Sequence, residues 1–230
     1  MQAAVEGALD RPQHGPLHVD DVGPLAAQGG AQPAQVVDVL RRLGRRPQAA
    51  ADPNGPLAVA PGLIRPYKGT DVLLEAWPQV RRDVPGATLL VAGRPMMDTT
   101  GLATGQPGVV FLPRYLSDAE LAAALRRADA VVLPYRRIDN SGVLAAALAF
   151  AAPLVMSDVG GFGELHRRDG IGELVEPGDA AGLAAALARV LGDDDLRAAL
   201  RERSAAAADG PLSWAAIAER TEDVYREVGG

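Results

Sequence analysis

The chain of 230 residues contains no cysteine. That absence excludes disulfides, thiolate catalysis and every cysteine-built metal centre. Histidine is almost absent too. His14, His18 and His166 are the only three, and two of them lie in the least typical part of the chain, so a histidine metal centre is not expected. Aromatics amount to two Trp, four Tyr and three Phe, and the 48% of hydrophobic residues is mostly Ala, Leu and Val. That is still enough apolar surface for a proper core. No apolar run approaches the roughly 20 residues that span a bilayer. The N-terminus carries acids in place of a basic segment followed by an apolar one, so no secretory leader is read there. The expectation is a soluble, cytoplasmic chain without a transmembrane segment. A formal net charge of −6 argues against a nucleic-acid partner, whose binding is driven by phosphate neutralisation. It leaves room for a small, locally basic pocket.

Lysine is the scarcest cation. Lys68 is the only one among 23 cationic residues, and it sits in GLIRPYKG, Gly62 to Gly69, three residues after Arg65. Two readings are open for this pair: a solvated surface couple, or two cations at a strand-to-helix turn, where an anion would lie in an α/β sheet.

The chain changes character near Gly62. Residues 1–61 contain no Ser, Thr, Ile, Lys, Phe, Tyr or Trp. Ala, Gly, Pro, Gln, Arg and Asp dominate, a composition that buries too little apolar surface to offset ordering entropy. Two parts are expected: a low-complexity, poorly ordered segment over 1–55, or the product of a truncated or frame-shifted gene start, and a folded domain over 56–230. One helix is expected in the first part, about 34–46.

From Gly62 the pattern alternates. Short apolar runs at 57–59, 87–92, 109–112, 130–133, 153–156 and 173–175 read as buried strands. Between and after them, helical periodicity falls at about 70–80, 117–127, 142–150, 163–168, 180–191, 193–208 and 213–228. Thr70 or Asp71 is expected to cap the first helix, and Pro78 to kink it or end it early. Ser117-x-x-Glu120 reads as a capping box. Continuous apolar strands separated by amphipathic helices imply βαβ units. The predicted fold is a doubly wound, Rossmann-like parallel sheet with helices on both faces and a helical C-terminal tail.

Ligands of such sheets bind beyond the carboxyl ends of the strands. Those positions hold Arg65 and Lys68, then Arg94, then Arg114 and Tyr115, then Pro134 to Gly142, then Ser157 to Gly163. Asn140-Ser141-Gly142 opens a helix, whose free N–H groups and dipole suit an anion; equally, Asn140 or Ser141 is simply its cap. The spacing of Gly160-Gly161-x-Gly163 is not that of a dinucleotide fingerprint. His166 is expected to be exposed, Asp193 to Asp195 to cap a helix, and the Arg136-Arg137 pair to be solvated.

Taken in order, GLIRPYKGTDVLLEAW, ATLLVAG, FLPRYLSDAELAAALRRADAVVLPYR, NSGVLAAALAFAAPLVMSDVGGFGEL, GELVEPGDAAGLAAALARVL and SWAAIAERTEDVY resemble the C-terminal domain of group-1, family-4 retaining glycosyltransferases of GT-B architecture. The resemblance covers about 56–228. It implies a single GT-B half that binds a nucleotide diphosphate sugar such as a UDP- or GDP-hexose, without a metal or other cofactor. By this resemblance Arg65 and Lys68 are the catalytic cations that neutralise the donor diphosphate. Gly62, Asn140, Ser141, Gly142 and Val143 line the same donor site, and Arg114 and Tyr115 lie near its base-binding loop.

Three departures stand out. Leu63 occupies the usual arginine position, with Arg65 two residues on. The family's paired glutamates fall at Ile138 and Ala146. About 61 residues precede the first motif, too few for the family's N-terminal acceptor domain.

The implied reaction is transfer of a hexose to a lipid or saccharide acceptor with retention, in polysaccharide biosynthesis, with peripheral membrane association compatible. This half alone is expected to turn over little. An acceptor domain on a separate chain, or a homo-oligomer through an exposed cleft face, would complete it. That face and the terminal helix around Trp214 and Tyr225 are expected to expose apolar surface. Rival readings are a non-catalytic nucleotide-binding or partner subunit of the same fold, and a sugar-nucleotide epimerase, for which no acid–base carboxylates can be placed.

Overall fold

The computed structural model describes residues 55–138 and 141–228. The expected helix over 34–46, nearly all of the N-terminal segment, and Asn140 lie outside them.

Six strands form one sheet: β1 (Leu57–Pro61), β2 (Thr88–Ala92), β3 (Val109–Leu112), β4 (Ala130–Leu133), β5 (Leu154–Ser157) and β6 (Glu173–Val175). Their order is β3-β2-β1-β4-β5-β6, and every pairing is parallel. All residues of β2, β4 and β5 are buried, as continuous apolar runs in a covered parallel sheet require. Successive residues feed opposite faces: Leu89 and Val91 join one core, Leu90 and Ala92 the other.

The described residues form seven α-helices: α1 (Thr70–Asp83), α2 (Asp118–Arg127), α3 (Gly142–Ala149), α4 (Gly161–Asp169), α5 (Ala180–Gly192), α6 (Asp194–Asp209) and α7 (Trp214–Val228). On one face Leu73, Trp77 and Val80 of α1 meet Leu183, Leu187 and Val190 of α5. The other core takes Leu125 of α2, Leu144 and Leu148 of α3, and Phe162 of α4. This is the doubly wound arrangement read from the sequence, and the element boundaries shift by at most three residues.

Three local expectations are corrected. The α1 N-cap is Gly69, at φ 65°, with no side-chain cap from Thr70 or Asp71. Pro78 neither ends α1 nor shortens it; the helix runs five residues further. The carbonyl of Leu74, left without an N–H donor by Pro78, accepts instead from Nε2 of Gln106 at 2.8 Å. His166 is half-buried, its Nδ1 lying 3.0 Å from the carbonyls of both Ile171 and Gly172. Arg136 and Arg137 are exposed, as read from the sequence, and Arg136 is in addition ion-paired with Asp71 at 2.6 Å. The capping readings hold: Asp193 accepts from Leu196 N, and Ser117 with Glu120 forms the full capping box.

Candidate functional site

Strand order reverses between β1 and β4. The parallel chains diverge there, so their carboxyl ends border a crevice that no crossover helix fills. What lies at those ends is set by a few short-range constraints. After β1 the chain turns at Gly62, φ 106°, a conformation that costs most residues strain and glycine little. A Cβ built on Gly62 would stand 3.0 Å from Val143 Cγ2 and 3.1 Å from Lys68 Nζ. The glycine thus lets the β1 turn, the Lys68 ammonium and the first turn of α3 converge. Pro66–Lys68 forms a single 3-10 turn, closed by Gly69 in the left-handed region. A Cβ on Gly69 would fall 1.9 Å from the carbonyl oxygen of Pro134, so the turn sits hard against the end of β4.

Arg136 locks that contact. Its backbone N–H donates to Tyr67 O at 2.7 Å, and its guanidinium donates to Pro66 O at 3.0 Å and forks onto the Asp71 carboxylate at 2.8 and 2.6 Å. The Asp71 carboxyl is held below its ordinary range, chiefly by the Arg136 hydrogen bond.

Lys68 lies inside this frame, half-buried. Its Nζ donates to the phenol oxygen of Tyr135 at 2.9 Å and stands 4.8 Å from the ring centroid. Burial is the main cause pulling its pKa below the ordinary lysine value; Tyr67 opposes this and the neighbouring charge of Arg65 adds to it. Nε of Arg65 is buried and has no hydrogen-bond partner. No ion pair to a carboxylate is recorded for either cation among the described residues. A small cavity of about 20 Å³ opens here, lined by Gly62, Ile64, Lys68, Thr70, Pro134 and Tyr135 among others.

The third side is the start of α3. Ser141 is its N-cap and accepts from Leu144 N at 3.3 Å. Gly142 opens the helix with free space where a side chain would stand. The first N–H groups of a helix have no partners within it. Two cations and a helix N-terminus therefore share one rim, a set of donors suited to an anion.

Of the residues singled out from the sequence, the structure brings together Gly62, Lys68, Ser141 and Val143, with Arg65 and Gly142 adjoining them. Asn140 lies outside the described residues. Arg114 and Tyr115 are placed apart from this group, beyond the end of β3, with β2 between them and β1. Arg114 is engaged there: it forks onto Glu120 at 3.0 Å on both nitrogens and donates to Tyr115 O. Tyr115 is 59% exposed, with Arg94 5.9 Å from its ring. Sequence reasoning missed Tyr135, whose bond to Lys68 joins residues 67 positions apart.

The fold and rim define a doubly wound α/β protein with two cations and a helix N-terminus at its switch point. The family profile for "Glycosyl transferases group 1" matches residues 55–193. The chain belongs to that family. It is 35% identical over 216 residues to a glycogen synthase of Mycobacterium tuberculosis, covering 90% of this chain and 51% of the relative. An alignment of that extent reaches into the first 54 residues. Identity is 36% over 170 residues to a phosphatidyl-myo-inositol mannosyltransferase of Mycobacterium leprae, with 71% and 44% covered. The chain spans about half the length of the curated relatives it matches.

Among solved structures, the C-terminal domain of a glycosyl transferase group 1 family protein from Francisella tularensis superposes with a TM-score of 0.64 at 18% identity, covering 81% of this chain and 95% of that one. An Anabaena protein solved with UDP and glucose gives 0.61 at 20% identity, with 76% and 47% covered. These likenesses show the fold: one Rossmann-like half of the GT-B architecture.

Proposed function

We propose that this chain is the donor-binding half of a retaining hexosyltransferase, taking a nucleotide diphosphate sugar and passing the hexose to a lipid or saccharide acceptor. One observation carries the reading. The only lysine of the chain is half-buried at the carboxyl end of β1, beside an arginine nitrogen without a partner and across from the N-terminus of α3. A diphosphate placed there would meet charge-assisted donors from Lys68 and Arg65 and backbone N–H groups of the first turn of α3. As the glycosidic bond breaks, negative charge grows on the leaving diphosphate, and donors already aimed at it stabilise that charge without reorganising. Gly62 leaves room for the ligand's close approach, and Val143 walls the crevice. Arg114 and Tyr115 would border the base end. In this reading no metal takes part, and acceptor-binding groups come from another domain, a separate chain or a second copy across the crevice.

Calorimetry with UDP, GDP, UDP-glucose and GDP-mannose tests it. Binding of one nucleotide series is the expected result, and no heat at millimolar ligand would overturn the donor site.

A second reading has its own support. Ile138 and Ala146 stand where the family carries glutamates, and both pack against the core, so neither offers a carboxylate to a ribose hydroxyl. Nucleotide binding without transfer to any saccharide or lipid acceptor, with an acceptor-domain partner supplied, would favour a non-catalytic nucleotide-binding subunit.

A further inference from the structure

We propose that Tyr135 is a positioning residue: its phenol holds the Lys68 ammonium and the Ser141 hydroxyl aimed at one bound diphosphate, an assignment that rests on the donor site proposed above. The ring itself is fixed. Tyr135 is 2% exposed, stands edge-on to Tyr67 at 6.2 Å between centroids, and tilts against Phe162 at 5.5 Å. Aromatic contacts on two sides leave the side chain one orientation, so its oxygen is a fixed point on an otherwise open rim. Lysine is the opposite case, a flexible stem with a rotatable ammonium. Left alone it would spread over several rotamers, and each would have to be given up on binding.

One contact removes that freedom. The 2.9 Å bond to the phenol oxygen takes one N–H of Lys68. The remaining N–H bonds of Lys68 are left for a ligand.

The donor inventory fixes the sense of the Lys68 contact. An ammonium only donates, so the phenol oxygen accepts from Lys68 and its own O–H must point elsewhere. Ser141 Oγ is the neighbour recorded for it, at 3.5 Å. That is longer than an ordinary bond between hydroxyls, a spacing that ligand binding commonly tightens at such sites. Ser141 Oγ already accepts from Leu144 N. Tyr135 thus joins the β1 turn to the start of α3, with either hydroxyl able to donate to the other. The charged and titratable groups facing Lys68 are Tyr67 and Arg65 from its own turn and Tyr135 from the β4 end.

Because Lys68 is the only lysine, protein grown with lysine labelled by carbon-13 at Cε gives a single Cε resonance, which can be titrated without any ligand. Tyr135→Phe keeps the ring and removes only the oxygen. The expected result is a Lys68 titration shifted to lower pH than in the wild type, since a hydrogen bond to the charged form is lost while burial stays. Affinity for UDP and for inorganic pyrophosphate should fall about tenfold, with the melting temperature nearly unchanged. Ser141→Ala should weaken binding less, and Tyr135→Phe/Ser141→Ala should be no weaker than Tyr135→Phe alone, because the pair acts as one unit. An unshifted Lys68 resonance with tight diphosphate binding in Tyr135→Phe overturns the positioning role alone. Failure of the wild type to bind either diphosphate, with the Lys68 shift intact, overturns the donor site instead.

Discussion

At the scale of single residues, the crevice depends on places where a side chain is absent as much as on those where one is present. Gly62→Ala puts a methyl 3.0 Å from Val143 and 3.1 Å from Lys68 Nζ while holding alanine at φ 106°. Strain of that kind costs about 1–3 kcal/mol, which urea unfolding would register, and the displaced ammonium should weaken nucleotide binding as well. Lys68→Ala should abolish nucleotide binding in calorimetry with little loss of stability; unchanged affinity would return Lys68 to an ordinary surface role. Lys68 and Gly62 were legible in the sequence because their spacing is local. Tyr135 was not, since its bond to Lys68 joins residues 67 positions apart, and no local pattern announces such a meeting.

At the scale of elements, α1 shows how a tertiary contact cancels a local rule. Pro78 should have broken it, but Gln106, from the segment before β3, donates to the orphaned Leu74 carbonyl. Gln106→Leu should therefore cost about 1–2 kcal/mol by leaving that buried acceptor unpaired. In a Pro78→Ala background the cost should shrink, because residue 78 regains its own N–H. A thermodynamic cycle by chemical denaturation measures both. Helix α2 offers a pH test. Glu120 is pulled from its ordinary 4.5 to about 2, first of all by its hydrogen bond to Arg114. A carboxyl depressed on folding adds stability that is present above its ordinary value and lost as pH falls toward the folded one. The pair is solvent-facing, so the contribution is modest. Glu120→Gln should flatten the stability profile between about pH 4.5 and 2, and an unchanged slope would count against the ion pair. Ser117→Ala, which removes the other half of the capping box, should cost about 1 kcal/mol.

At the scale of the whole molecule, the sheet order decides what meets what. Arg65, Lys68 and the start of α3 share a rim because β1 and β4 are neighbours, whereas Arg114 and Tyr115 end up beyond β3 at the sheet's edge. Part of the expected exposed apolar surface lies on α7: Val224, Tyr225 and Val228 fall on one helix face and Tyr225 is 76% exposed. Among the described side chains of this helix none is buried. Tyr225→Ala should consequently change unfolding free energy by less than about 0.5 kcal/mol, and a larger loss in chemical denaturation would mean that the helix packs in solution. Among the described residues, no helix is long and apolar enough to cross a membrane.

The sequence by itself determined the alternation of strand and helix, because buried parallel strands must be continuously apolar and their covering helices amphipathic. It also determined the local caps and the placing of Lys68 and Ser141 at element ends, since those signals span only a few residues. Only the tertiary structure decided which strand ends are adjacent, that Tyr135 holds the lysine, that Asp71 takes up Arg136, and that Gln106 rescues a helix containing proline. Each of these joins residues far apart in the chain, and the energy that selects them exists only once the sheet has brought their elements into contact.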